Sequence, residues 1–248
     1  MPSPVLARRL TPPLLLALAP IALALVTLAC SDTSPPATPV PTVTPTPINP
    51  QAILDECGTA MSDLKSFRFH IEHDDDGSTP LAQGMALTEA SGNIASPDRI
   101  AIDFLGTAGS FAVKGSLIAV GEDAYMTNPL SGEWHPVSSE LNPLEFFSPS
   151  DGIAEILAQV QNATLISHDA GEYRISGTIP ADALAPLFGD TEPESSVAVT
   201  LTIERPHLYL TQARLDGRIT PTEADGVART ITLSEFNEPV DIAAPDSG

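Results

Sequence analysis

Phe67-Arg68-Phe69-His70-Ile71-Glu72 alternates large apolar side chains with polar or charged ones, and that two-residue period decides how the chain reads. Successive side chains of an extended strand point to opposite faces, so Phe67, Phe69 and Ile71 share one face and Arg68, His70 and Glu72 the other. The stretch just before it follows a different rule. Ala52, Ile53, Cys57, Ala60, Met61 and Leu64 recur at helical spacing, which predicts an amphipathic helix over 51–65.

Downstream the two-residue period returns again and again. Strand-like runs occupy 82–90, 99–105, 110–120 and 124–126, with Trp134 following a Pro-Leu-Ser-Gly turn. Residues 142–161 break the pattern with helix character, their apolar stripe being Leu144, Phe147, Ile153, Ile156, Leu157 and Val160. Strands resume at 163–167 and 172–179, and 180–188 reads as a short helix with Pro180 opening it and Gly189 ending it. Three long alternating strands, 196–204, 208–219 and 228–236, close the chain. Short connections favour antiparallel pairing, so the expected class is α+β, an antiparallel sheet with a few helices.

The N-terminus carries a second message. Arg8 and Arg9 form a basic start, 14–28 an apolar run, and small Ala29 precedes Cys30. This is the layout of a signal peptide, 1–29, whose removal leaves Cys30 to carry a lipid through a thioether. Thr27 and Leu28 depart from the usual box, where Leu and a small residue stand. A transmembrane anchor is the rival reading, since 10–29 approaches the ~20 apolar residues needed to span. Pro12, Pro13 and Pro20 interrupt that run, and no basic cluster follows it. Arg8-Arg9 also suggests twin-arginine export, although its neighbours fit that signal poorly. Residues 31–50 read SDTSPPATPVPTVTPTPINP, which has no core-forming pattern. As a polyproline-type stalk this segment reaches up to ~60 Å at ~3.1 Å per residue. The expected organisation is therefore 1–29 signal peptide, 30–50 lipidated cysteine and stalk, and 51–245 a single domain. The protein is expected at the outer face of the cell membrane, held there by the lipid on Cys30.

Composition narrows the partners. Formal charge is −21, and without Arg8 and Arg9 only 9 basic side chains face 32 acidic ones. Such a surface repels nucleic-acid phosphate and anionic headgroups, so nucleic acid is excluded as a partner and membrane contact falls to the anchor. With Cys30 committed to lipid, Cys57 has no partner for an internal disulfide. It reads as a small buried apolar residue, since no basic neighbour in sequence lowers its pKa.

Catalytic signals are missing from the sequence. No nucleophile elbow, zinc-binding helix, phosphate loop or dinucleotide fingerprint occurs, and no cofactor or metal is called for. His70, Glu72, His73, Asp74, Asp75 and Asp76 are the densest polar cluster. Read from Glu72 they resemble half a calcium loop, but Gln83 stands where a bidentate Glu is needed. A charged strand end running into a turn at Gly77 is the better reading, because half a loop is common by chance. His70 and His73 lie on opposite strand faces and cannot share a metal. Tyr125 and Trp134 read either as lining a ligand mouth or as clamping a hairpin, and the Asn162-Ala163-Thr164 sequon reads as accidental.

The order of parts resembles the LppX/LprAFG family of envelope lipoproteins. The matching stretches include Leu64-Lys65-Ser66-Phe67-Arg68-Phe69, Ala124-Tyr125 with Gly132-Glu133-Trp134, and Pro143-Leu144 leading to Gly152-Ile153. They continue through Tyr173-Arg174-Ile175-Ser176-Gly177, Leu215-Asp216-Gly217, and Ile231-Thr232-Leu233-Ser234-Glu235-Phe236 with Pro239-Val240-Asp241-Ile242. No single motif is diagnostic; order and spacing carry the likeness. It implies a curved half-barrel sheet with helices in its concave side, and between them an apolar cavity for acyl chains.

From pattern alone, an apolar sheet face is better read as a packed solid core than as the wall of a cavity, because most apolar faces simply pack. The resemblance favours the cavity. Its wall is then expected from Phe69, Ile71, Ile102, Phe104, Val113, Val199, Leu201 and Ile203 on the strands, and from Leu144, Phe147, Ile156, Leu157, Leu187 and Phe188 on the helices. The implied role is carriage or presentation of an acyl lipid or glycolipid, with an envelope transporter as a candidate partner and no catalysis. A ligand-free interaction module displayed on a stalk is the alternative.

Overall fold

The first helix starts at Asn49, whose side chain accepts from the Gln51 N–H at 3.1 Å while Pro50 fills the first helical position. The computed structural model describes residues 47–75, 77–80, 85–145, 147–169 and 171–245. Cys30, the signal segment and the stalk as far as residue 46 lie outside the described residues, as does Gln83.

Helix α1 (Pro50–Ser62) buries Ile53, Leu54, Cys57 and Met61 on one face; of the predicted stripe Ala52 and Ala60 are only half-buried, and Leu54, which it did not include, is fully buried. The chain then enters β1 (Ser66–His73), touches a two-residue β2 (Thr79–Pro80), and runs as a meander through β3 (Met85–Ala95), β4 (Arg99–Ala108), β5 (Phe111–Val120), β6 (Asp123–Thr127) and β7 (Trp134–Pro136). Helix α2 (Gly152–Ala158) leads to a second meander: β8 (Gln161–His168), β9 (Glu172–Pro180), β10 (Ser196–Glu204), β11 (Leu210–Asp216) and β12 (Ala228–Ser234). The short helix α3 (Ala185–Phe188) sits between β9 and β10.

Every recorded strand pair is antiparallel, and the result is a 12-stranded sheet in the order β7-β6-β5-β4-β3-β1-β12-β11-β10-β9-β8, with β2 beside β3. The first and last long strands meet at its centre, Phe69 opposite Leu233 and Ile71 opposite Ile231. The two meanders thus form one sheet only when the ends of the domain have come together. The sheet is open, since β7 and β8 pair with different neighbours.

Two departures from the expected pattern have local causes. The single helix expected over 142–161 is instead a 3-10 turn at Pro143–Glu145 followed by α2, and β8 already begins at Gln161. Pro149 lies between them, where its ring and missing N–H disfavour a continuous helix. The last strands are also shorter than their alternation suggests. Ile203 pairs with Leu210 but Thr202 with Gln212, so Thr211 is an extra residue that shifts the register.

Helices α1 and α2 pack closely: a Cβ on Gly58 would lie 3.4 Å from the Ala154 backbone. Their apolar faces join the inner-face residues Phe67, Phe69, Ile175, Val199, Leu201 and Leu233 in one continuous core. Among the described residues no helix is long and apolar enough to cross a membrane.

Candidate functional site

The inner face of the sheet is not fully covered. A cavity of about 440 Å³ lies along it. Packed interiors rarely hold voids larger than a water, which needs only ~10–15 Å³ by the same measure. This space is therefore a site rather than a packing defect, within the ~300–1,000 Å³ common for ligand pockets. Its wall comes from both meanders, from α2 and α3, and from the connections around them; α1 contributes none of it. Thr79 is its single polar residue among those described.

Glycines shape the wall. Phe69 stands opposite Gly92, Phe104 opposite Gly115, and Phe147 lies beside Gly152. A Cβ at Gly115 or Gly152 would press into the adjacent ring, and one at Gly92 would meet the Ala101 carbonyl first and the Phe69 ring as well. Without one, each ring lies down on bare backbone and leaves the middle of the cavity empty.

Of the residues expected on the wall, Phe69, Ile71, Ile102, Phe104, Val199, Leu201, Phe147, Ile156, Leu157, Leu187 and Phe188 do line it. Three lie elsewhere. Val113 faces inward opposite Gly106 but sits toward the β4–β5 turn, beyond the wall. Ile203 is fully buried in packed core, next to Leu210, whose N–H meets Met61 Sδ at the end of α1. Leu144, in the 3-10 turn, packs against that core instead. Sequence reasoning missed others that share the inward parity, including Phe67, Leu215, Ile231 and Leu233. It also missed Leu184 and Pro186 beside Leu187. Tyr125 and Trp134 lie across the β6–β7 pairing, off the wall.

One end of the inner face is polar, which the sequence reading did not anticipate. Arg229 occupies the same parity as Ile231 and Leu233 and is 0% exposed. Its Nη1 and Nη2 donate to the two carboxylate oxygens of buried Glu223 at 2.8 and 3.1 Å, a bidentate pair. Glu223 also accepts from the N–H groups of Ile219 and Thr220. Burial pushes the Glu223 carboxyl up, but Arg229 and those N–H groups outweigh it and hold it below the usual carboxylate range. The guanidinium lies 5.3 Å from the Phe188 ring centre, so the aromatic screens it from the cavity.

Thr79 and His73 complete this end. His73 Nδ1 donates to the Thr88 carbonyl at 2.9 Å, so the neutral ring's Nε2 accepts from the Thr79 hydroxyl at 2.8 Å. Thr79 in turn accepts from Arg229 Nη1 at 3.4 Å. Thr88 is the extra residue of a bulge in β3, where Leu87 pairs with Gly106 and Glu89 with Leu105. Burial pulls the His73 pKa below its usual value, the Thr88 carbonyl opposes that, and nearby Arg229 reinforces it.

The other candidate chemistry disperses. Asp74 pairs with Arg214 at 2.7 Å, and His70 approaches Glu72 and Glu89 on the opposite face from His73. Among the described residues no group of three or more His, Cys, Asp or Glu is placed to hold a metal. Cys57 is buried, and desolvation raises its thiol pKa to about 12, the acceptance of the Leu210 N–H opposing only in part. It is no nucleophile at neutral pH.

The family model described as LppX_LprAFG lipoprotein matches residues 49–242. The chain belongs to that lipoprotein family. Among solved structures, LprF from Mycobacterium bovis superposes with a TM-score of 0.58 at 18% identity, over 80% of this chain and 97% of that one. Lipoprotein LppX from Mycobacterium tuberculosis gives 0.55 at 19%, over 78% and 97%. At such identities these two similarities show the fold: the same open antiparallel sheet with few helices. No curated protein matches the chain.

Proposed function

We propose that this protein binds an acyl lipid or glycolipid in its cavity and carries or presents it in the cell envelope, without catalysing a reaction. One observation carries the reading: a space of about 440 Å³ whose wall, among the described residues, is apolar except for Thr79. Each methylene moved from water into such a space contributes ~0.8 kcal/mol, so affinity grows with chain length and discriminates little between tails. Family membership supports the same reading.

The rest of the chain fits this role. Residues 1–29 would be the signal peptide, Cys30 the lipid attachment site, 30–50 the stalk and 51–245 the binding domain. The anchor would hold the domain at the outer face of the membrane, and ~60 Å of stalk would let it reach an envelope partner that supplies or receives the lipid.

Val199→Trp tests the reading, because Val199 lines the cavity near the middle of β10. An indole there occupies ligand space. Binding of a fluorescent long-chain fatty acid should fall by an order of magnitude or more while the thermal midpoint stays nearly unchanged. In a solid core the same ring would overpack and cost ~1–3 kcal/mol of stability. That result, with unchanged probe binding, would leave the ligand-free interaction module in place of the carrier.

A further inference from the structure

The most exposed aromatic side chain among the described residues extends one wall of the cavity. Met85 lines that wall; its register partner on β4 is Ala108, and the partner of Ala108 on β5 is Phe111. These three make one cross-strand row on the inner face, ending at a Phe that is 77% exposed beside the Gly109–Ser110 turn. Val113 and Gly106 form the next row inward. The chain between Asp103 and Lys114 carries no charged residue, in a protein of net charge −21. Because β6 returns antiparallel to β5, the turn after Thr127 opens at the same end, and there Leu130 is 98% exposed. Glu133, in that turn, is the nearest carboxylate in sequence.

The cavity wall reaches the surface at this end, as it does at Leu141 near the opposite end. Leu187 on its wall is 40% exposed, next to Phe188, whose ring covers Arg229. Arg229 is the register partner of His73, which places α3 at the same end of the sheet as Met85 and the β4–β5 turn. The opposite end of the first meander is acidic, with Asp98 at the β3–β4 turn and Glu122 and Asp123 at the β5–β6 turn. Asp74 and Asp216 share the apolar end but lie on the outer face, paired with Arg214; the connections of the second meander at this end also carry Asp190, Glu192, Glu194 and Asp225, with Glu192 and Asp225 paired to Arg218.

We propose that the β4–β5 hairpin tip, led by Phe111, docks into a lipid bilayer and seats the Leu187 end of the cavity against it. An uncharged apolar tip is suited to enter the headgroup boundary. The row from Phe111 through Ala108 to Met85 then gives an acyl chain a continuous apolar path between bilayer and cavity.

The test uses the full chain with Ser110→Cys, which keeps Phe111, carrying an environment-sensitive nitrobenzoxadiazole label. The same chain carries Cys30→Ser, so that position 30 cannot take the label, and Cys57 does not compete, being buried with its thiol pKa raised to about 12. With phosphatidylcholine vesicles the emission should rise several-fold and be quenched by nitroxides on the lipid acyl chains. Adding Phe111→Asp should return it to the level in water, and a label at Glu122→Cys should stay at that level throughout. Water-like emission at position 110, or equal responses at 110 and 122, would overturn the proposal. So would a rise that needs higher protein concentration and no vesicles, which would make the tip a contact between two copies. The outcome is separable from lipid carriage: a docked tip with an empty cavity keeps this inference and removes the carrier, and a filled cavity with a water-exposed tip does the reverse.

Discussion

Phe104 lies across Gly115: the two are register partners in the β4–β5 ladder, and any side chain on the glycine would meet the ring. The empty space over the sheet depends on such pairs. Where the strand offers bare backbone, an aromatic ring lies flat instead of standing up into the cavity, and the wall stays thin.

Gly115→Ala should therefore shrink the cavity from behind. The methyl group lifts the Phe104 ring into ligand space, removing room for about two methylenes, or ~1.5 kcal/mol. Titration with a fluorescent fatty acid should show about tenfold weaker binding, with only a modest fall in thermal midpoint. Unchanged affinity would mean that the ring does not touch the ligand.

The buried Arg229–Glu223 pair makes a different prediction. Glu223→Gln removes the charge that compensates a fully buried guanidinium and should cost ~3–5 kcal/mol by urea unfolding. The double variant Arg229→Met with Glu223→Leu should be more stable than Glu223→Gln, since an apolar pair needs no compensation. A single variant no worse than ~1 kcal/mol would show that water reaches this end of the sheet.

Acid should loosen the same corner in two stages. The folded His73 ring has a pKa below its usual 6.5, so as pH falls the unfolded chain takes up that proton first and folded stability is lost below about 6.5. Glu223 has a folded pKa below its usual 4.5, so its contribution is present above that value and is lost as pH falls through the folded one. His73→Gln should flatten the dependence of the thermal midpoint between about pH 7 and about pH 5 while leaving the lower stage intact. Identical slopes in both proteins would remove His73 from the account.

Much of the fold is legible because one sheet face is buried, and burial writes a period of two into β1, β4, β5, β9 and β10. Where a residue is inserted the period slips, and nothing local announces it: Thr88 and Thr211 read as ordinary strand residues. The wall was legible to the same extent. Parity selected Phe69, Val199 and Leu201, but parity cannot tell how far along a strand the open space extends, so Val113 and Ile203 fell outside it. The polar end was the larger omission. Its signal was present, because Arg229 breaks the apolar parity of Ile231 and Leu233, and a charge at an inward position requires a buried partner.

Native mass spectrometry of the purified protein tests the central claim most directly. Lipid carriage predicts a fraction of molecules with added non-covalent mass, removed by organic extraction and identified as acyl lipid, and absent from Val199→Trp. A wild-type protein that carries no extractable mass and takes up none from added lipid would contradict it.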